Sequence, residues 1–321
     1  MPPGVPTLAL SAERIERAAH DVPAAFRATP QFGSPGLSSS LGFDALLKVE
    51  TVNPIRSFKG RGTDLLAQHS DAEVFVCASA GNLGQGLAFA GRTRGRRVII
   101  YASRHISQLK ASAMRALDAE VRLVDGDFDA AKDAADDAAR EHGWQLVVDG
   151  REPSLAEGAG GMAVELTDAG RPLDAVLVPV GNGSLACGVA HWFKAVSPQT
   201  RVIAVGSVGA PAMYAAWRSG DLLTGAPTTT IAEGLAARVP VPEAVGSMRT
   251  SVDDFVLVDD DALREAMRVL LAHTGLVSEP SGAAALAGAM LLRAELVGGT
   301  VALPLTGANI DPETLSRLLA T

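Results

Sequence analysis

Apolar positions along this chain fall into two spacings that take turns. Short apolar runs at 45–52, 74–78, 97–101, 120–124, 145–148, 175–180, 202–205, 251–259 and 299–305 predict strands. Between them, stretches with apolar residues every three or four positions predict helices at 84–91, 107–117, 127–142, 185–196, 211–219, 260–273 and 281–296. Further helices are expected over 11–28, from about Thr63, and from the glycine-rich link at 157–161. Ser11 is the expected cap of the first helix, with Arg14 where a complete capping box has Glu. A Pro/Gly/Ser-rich loop is expected over 29–40. Strands separated by helices imply right-handed crossovers and mostly parallel sheets covered on both faces, an α/β fold. No fixed-period repeat or low-complexity linker divides the chain. Residues 65–150 form its most compact unit, read as a small domain inserted between 1–64 and 151–321 of a larger one.

Composition narrows the class. The 321 residues are 47 % hydrophobic, with 33 glycines and few aromatics. Net charge is 28 − 36 = −8, so no basic surplus favours a nucleic-acid partner. Cys77 and Cys187 sit among apolar residues and read as buried structural thiols. The six histidines are scattered, so no metal site is expected; the acids of 127–142 read as a solvated helix face. Pro179, Gly181, Asn182 and Gly183 break the uncharged run 175–193, which argues against a membrane span. Met1-Pro2-Pro3-Gly4 lacks signal-peptide character, and a cytoplasmic protein is expected.

Candidate chemistry lies where strands end. Lys59, in Asn53-Pro54-Ile55-Arg56-Ser57-Phe58-Lys59-Gly60-Arg61-Gly62, follows a strand and precedes a helix, where an amine can face a cleft and act as a nucleophile. Locally, a surface lysine beside Arg56 and Arg61 is the favoured reading. Ser79-Ala80-Gly81-Asn82-Leu83-Gly84-Gln85-Gly86 offers backbone N–H groups to an anion such as a carboxylate, or is a helix-capping turn. Gly181-Asn182-Gly183-Ser184-Leu185 is a small-residue loop opening a helix, suited to phosphate or to a plain turn. It matches neither the dinucleotide fingerprint nor the nucleoside-triphosphate loop. Thr306 puts a hydroxyl at the end of a late strand, or caps the turn that follows.

In this order the four stretches resemble the fold-type II pyridoxal-phosphate enzymes of the tryptophan synthase β family. Threonine/serine dehydratases and serine racemases are the nearest in pattern. Thr230-Ile231-Ala232-Glu233-Gly234-Leu235-Ala236 and Ser278-Glu279-Pro280-Ser281-Gly282-Ala283 echo the same family, and the resemblance runs from Ser11 to Asp311. It implies two three-layer α/β/α domains of parallel or mixed sheet, the active site between them, and 65–150 closing over the substrate. It implies pyridoxal 5'-phosphate on Lys59 as a Schiff base, flanked by Phe58. Asn82 would bond the ring hydroxyl, Gly181, Asn182, Gly183, Ser184 and Leu185 would cradle the phosphate, and Thr306 would face the pyridine nitrogen. Ser79, Ala80, Gly81 and Asn82 would bind the amino-acid substrate.

A neutral hydroxyl at the ring nitrogen goes with β-elimination or replacement in this family. Substrate amine would displace Lys59, Lys59 would take the Cα proton, and the β-hydroxyl would leave, giving a 2-oxo acid and ammonia. The expected activity is therefore deamination of L-threonine or L-serine. A β- or γ-replacement synthase, a racemase and a non-catalytic binding relative are the alternatives. Ala80 stands where racemases of the family carry a proton-donating serine, which argues against racemisation. Leu83 replaces a common histidine. Arg56 is either a second substrate contact or a surface residue. Gly206-Ser207 follows the strand after which relatives hold a cation ligand, so that site is expected to be lost. The chain stops near its last strand, so no regulatory domain is expected; homodimers are common in the family.

Overall fold

Alternating side chains on parallel strands give each sheet two apolar faces, and helices cover both. The computed structural model describes residues 5–222 and 228–320; Met1–Gly4, read above for a signal peptide, lies outside them. In chain order the elements begin with α1 (Ala12–Asp21), β1 (Gln31–Gly33), α2 (Pro35–Leu41), β2 (Asp44–Val49) and α3 (Lys59–Gln68). Next come β3 (Val74–Ala78), α4 (Asn82–Arg94), β4 (Arg97–Ser103), α5 (Gln108–Arg115), β5 (Glu120–Val124), α6 (Phe128–His142) and β6 (Gln145–Leu146). Then follow α7 (Pro153–Asp168), β7 (Ala175–Pro179), α8 (Ser184–Val196), β8 (Arg201–Ser207), α9 (Ala212–Ser219), α10 (Pro242–Ser251) and β9 (Asp254–Val258). The chain closes with α11 (Asp260–Thr274), α12 (Ala284–Leu291), α13 (Arg293–Leu296), β10 (Thr300–Leu305) and α14 (Pro312–Ala320).

One sheet has six strands in the order β1-β2-β10-β7-β8-β9, parallel except for β1 against β2. The other has four parallel strands, β5-β4-β3-β6, all drawn from residues 74–146. The period of two is visible in the cores. Val176 and Val178 of β7 pack with Met162, Val189 and Met248 on one face. Ala175 and Leu177 pack with Leu263, Met267 and Leu286 on the other. In the small sheet Phe75 and Cys77 face α4 and α5, while Val76 faces the alanines of α6. Burial of Ala131, Ala135, Ala138 and Ala139 leaves the acids of α6 outward, the solvated face expected of them.

Several boundaries differ from expectation. The first helix ends at Asp21, because Val22 and Pro23 turn extended; Ser11 caps it, its Oγ accepting from Arg14 N at 3.3 Å. The 29–40 loop contains β1 and α2, where Ser34 caps, Pro35 takes the first helical position and Gly42 closes in the left-handed region. The helix expected from Thr63 starts at Lys59. The 157–161 glycines lie within α7 rather than ahead of it. Close packing explains them: α7 and α8 approach so nearly that a Cβ on Gly188 would stand 1.9 Å from Ala156 O. The 281–296 helix breaks into a tight turn, α12 and α13. Helices α10 and α14 were not anticipated.

Candidate active site

Five chain segments that matter leave the C-terminal ends of strands: β2 leads to Lys59, β3 to Ser79, β6 to Asp149, β7 to Gly181 and β10 to Thr306. Parallel α/β sheets present their ligand sites at this edge.

The lysine loop is built by Asn53. Its Nδ2 donates to Glu50 O (2.8 Å) and Ser57 O (3.1 Å), and its Oδ1 accepts from Ile55 N (3.1 Å) and Ser57 N (3.3 Å). Phe58 N donates to Thr306 O at 3.1 Å and Ala308 N to Arg56 O at 3.0 Å, so the loop is laced to the segment after β10. Lys59 then opens α3 with its side chain only 15 % exposed. Its Nζ donates to Asp149 Oδ1 at 2.7 Å and lies 4.7 Å from the Phe58 ring centroid. It is not a surface lysine, although Arg56 beside it is exposed.

Arg61 is not a surface residue either. It is fully buried and bonds Glu50 (2.8 and 2.9 Å), Glu165 (2.7 and 2.9 Å) and Thr29 Oγ1 (3.1 Å). Lys48 joins the cluster, with Nζ 2.5 Å from Glu165 Oε2. Burial pushes the Glu165 carboxyl up, but the hydrogen bonds and charges of Arg61 and Lys48 outweigh it and hold the group at about 2. Burial draws the Lys48 ammonium below its usual value, against the pull of Glu165. This cluster anchors the first turn of α3, two residues beyond Lys59.

On the β3 side, Ser79 Oγ accepts from Gly81 N (3.2 Å) and Gly84 N (2.9 Å), so its hydroxyl caps the turn. Asn82 does not cap. Its Nδ2 donates to Glu279 Oε1 and its Oδ1 accepts from Asn309 Nδ2, both at 2.7 Å. A Cβ on Gly81 would meet nothing within 4 Å, so this turn has open space beside it. Ala80 and Leu83 pack against the small-sheet core.

Glu279 is the buried hub of the opposite wall. It also accepts from Ser281 Oγ (3.1 Å) and Asn309 N (3.0 Å), and its own N donates to Gly307 O (3.1 Å). Burial raises its carboxyl above the usual range, with the charge of Lys110 and these hydrogen bonds opposing. Thr306 is buried next to it, its Oγ1 3.5 Å from Ser281 O.

The β7 loop is tightly confined. A Cβ on Gly181 would stand 2.2 Å from Gly234 O; Gly183 has φ +103°, and a Cβ there would press on Ala244. Ser184 starts the 13-residue α8, whose leading N–H groups lack intrahelical acceptors. Ser184 Oγ accepts from Gly150 N at 2.8 Å, which ties this loop to Asp149.

The structure thus gathers Phe58, Lys59 and the Gly181–Leu185 loop on one side, joined through Asp149 and Gly150. Asn82 and Thr306 meet around Glu279 on the other. Asp149, Glu279 and Asn309 were not assigned from sequence. A signal existed for two of them: Asp149-Gly150 is a turn at a strand end, and Glu279 stands in a recognised echo. No group of three metal-ligating side chains occurs among the described residues, and no described helix is long and apolar enough to cross a membrane. Both cysteines are buried; burial pushes Cys77 up to about 12, and burial with the charge of Asp149 raises Cys187.

Comparison with known proteins places this geometry. Residues 22–307 match the family model described as pyridoxal-phosphate dependent enzyme. The biosynthetic L-threonine dehydratase of Salmonella typhimurium is 35 % identical over 293 residues, covering 89 % of this chain and 57 % of that protein. The chain spans little more than half the length of the biosynthetic threonine dehydratases it matches from several bacteria. Among solved structures, processed threonine deaminase isoform 2 from Solanum lycopersicum superposes with a TM-score of 0.89 at 27 % identity, covering 98 % of this chain and 90 % of that one. Maize serine racemase also reaches 0.89, at 25 % identity and 97 % coverage of both chains.

Proposed function

The chain belongs to the family of pyridoxal-phosphate dependent enzymes, and on that premise we propose that it removes ammonia from a hydroxy amino acid such as L-threonine or L-serine, leaving a 2-oxo acid. The observation that carries this reading is the placement of the Lys59 amine, shielded, between Phe58 and Asp149 at the strand ends that also present the Gly181–Leu185 loop. Names of relatives support the substrate class, since several are threonine dehydratases or ammonia-lyases.

The residues fit the cofactor. A Cβ at Gly181 would strike Gly234 O, so glycine lets the β7 loop lie flat there, and the N–H groups at the start of α8 suit a phosphate. When bound, pyridoxal 5'-phosphate supplies an aldehyde for the Lys59 amine and a ring that withdraws electrons from Cα. Asn82 is held by Glu279 and Asn309 to meet the ring hydroxyl, and Thr306 offers the ring nitrogen a neutral hydroxyl. The turn of Ser79, Ala80 and Gly81, open beside Gly81, would take a substrate carboxylate. Lys59, once released, takes the Cα proton and returns a proton to the departing hydroxyl. Ala80 has no proton for the opposite face, which favours elimination over racemisation.

We also propose that 65–150 closes over the substrate as a domain against 1–64 and 151–321, and that the enzyme is a cytoplasmic homodimer. The separate four-stranded sheet supports the first, and family resemblance the second. Incubating the cofactor-loaded protein with L-threonine or L-serine should release 2-oxo acid and ammonia in equal amounts without a thiol or second amine. Product formed only when such a nucleophile is added would replace this reading with a β-replacement synthase.

A further inference from the structure

We propose that Asp149 is the positioning residue for Lys59: its carboxylate holds the lysine ammonium in the cleft and stabilises the proton that Lys59 takes up during turnover. The inference rests on Lys59 being the cofactor lysine and adds to that reading the group that holds its amine in place.

Geometry carries it. The Nζ–Oδ1 distance of 2.7 Å is that of a charge-assisted hydrogen bond, and the two side chains are only 15 % and 12 % exposed. The main chain that carries the carboxylate is held in place. Val147 N donates to Val76 O at 2.8 Å and Arg151 N to Val148 O at 3.1 Å, which closes a turn around it. Gly150 has φ +87°, its N–H donates to Ser184 Oγ at 2.8 Å, and a Cβ there would stand 2.3 Å from Asn182 O. The residue that pairs with the lysine is therefore tied directly to the loop proposed for the phosphate.

Neighbouring charges are engaged elsewhere. Arg61 on the same helix is taken up by Glu50 and Glu165. Glu279 is bonded to Asn82, Ser281 and Asn309, and Lys110 to Glu233. Arg151 lies 3.7 Å from Glu243, and burial raises the nearby Glu152 carboxyl. The Cys187 thiol feels the charge of Asp149 and stays protonated. Among the described residues Asp149 is the carboxylate paired with Lys59.

The proton balance is simple. The neutral Lys59 amine breaks the Cα–H bond and becomes ammonium, while Asp149 keeps its charge and accepts the new N–H. The electron pair left at Cα forms the Cα–Cβ double bond as the Cβ–O bond breaks. The ammonium gives its proton to that oxygen, water leaves, and the amine is neutral again.

Competitive acetylation of the cofactor-free protein tests this. A hydrogen bond to a neighbouring carboxylate withholds the amine from the reagent, so its removal leaves Nζ more available. At about pH 8 the labelling of Lys59 relative to Lys132 should rise roughly five- to tenfold in Asp149→Asn and Asp149→Ser, and stay within about twofold of wild type in Asp149→Glu. In the loaded enzyme Asp149→Asn should lower kcat about tenfold or more with a smaller change in KM. Unchanged Lys59 labelling in both neutral variants overturns the proposal. Borohydride reduction of the loaded wild type separates the two levels: an adduct on Lys59 with unchanged labelling removes only the role of Asp149, whereas no adduct removes the reading of Lys59 itself.

Discussion

Two lysines and an arginine within 14 residues have different fates, and only their partners explain why. Lys48 and Arg61 are sealed in an ion cluster; Lys59 faces the cleft. Arg61→Met should cost about 3–5 kcal/mol in urea unfolding, because Glu50 would keep a buried charge without its cation and Glu165 would be left with Lys48 alone. The same cluster sets an acid limit. Glu165 is lowered from its usual 4.5 to about 2 on folding, so its contribution is complete above about 4.5 and is lost as pH falls towards about 2. Melting temperature should drop through that window, and Glu165→Gln should flatten the drop while lowering stability at neutral pH; an unchanged acid slope would contradict the assignment. Lys59, Asn82 and Thr306 were singled out from sequence because loop chemistry and order mark them. Asp149 was not, since its partner is 90 residues away and acidic residues at turns are common.

At the scale of elements, periodicity placed most strands and helices well. Val74–Ala78 and Glu120–Val124 match their expected limits, because apolar runs ended by turn residues leave little freedom. It failed where packing overrode local signals. Glycines that read as a link at 157–161 are helical because α7 packs closely on α3 and α8. Pro35, read as a loop residue, opens α2, and Gly42 closes it. Gly188→Ala should therefore destabilise the protein by about 1–3 kcal/mol through overpacking against Ala156 O. Chemical denaturation checks this, and an unaffected midpoint would mean that the two helices separate without cost.

For the whole molecule, the alternation of strands and helices made the α/β class readable, and the family pattern made the cofactor readable. The cleft contacts were not, because they join surfaces far apart in sequence. Three ion pairs cross between the small-sheet segment and the 233–238 segment: Lys110 with Glu233, and Arg238 with Asp127 (2.7 Å) and with Asp129 (3.1 Å). If 65–150 closes over substrate, Arg238→Ala should raise KM roughly two- to threefold and remove much of the dependence of KM on salt, as expected for screened surface pairs. A salt response identical to wild type would argue against these pairs as cleft contacts. The account as a whole depends on where the cofactor is joined to the chain. Borohydride reduction of the pyridoxal-phosphate-loaded protein, followed by peptide mass mapping, should find one adduct, on Lys59, absent from Lys59→Ala; an adduct on another lysine, or none, would contradict it.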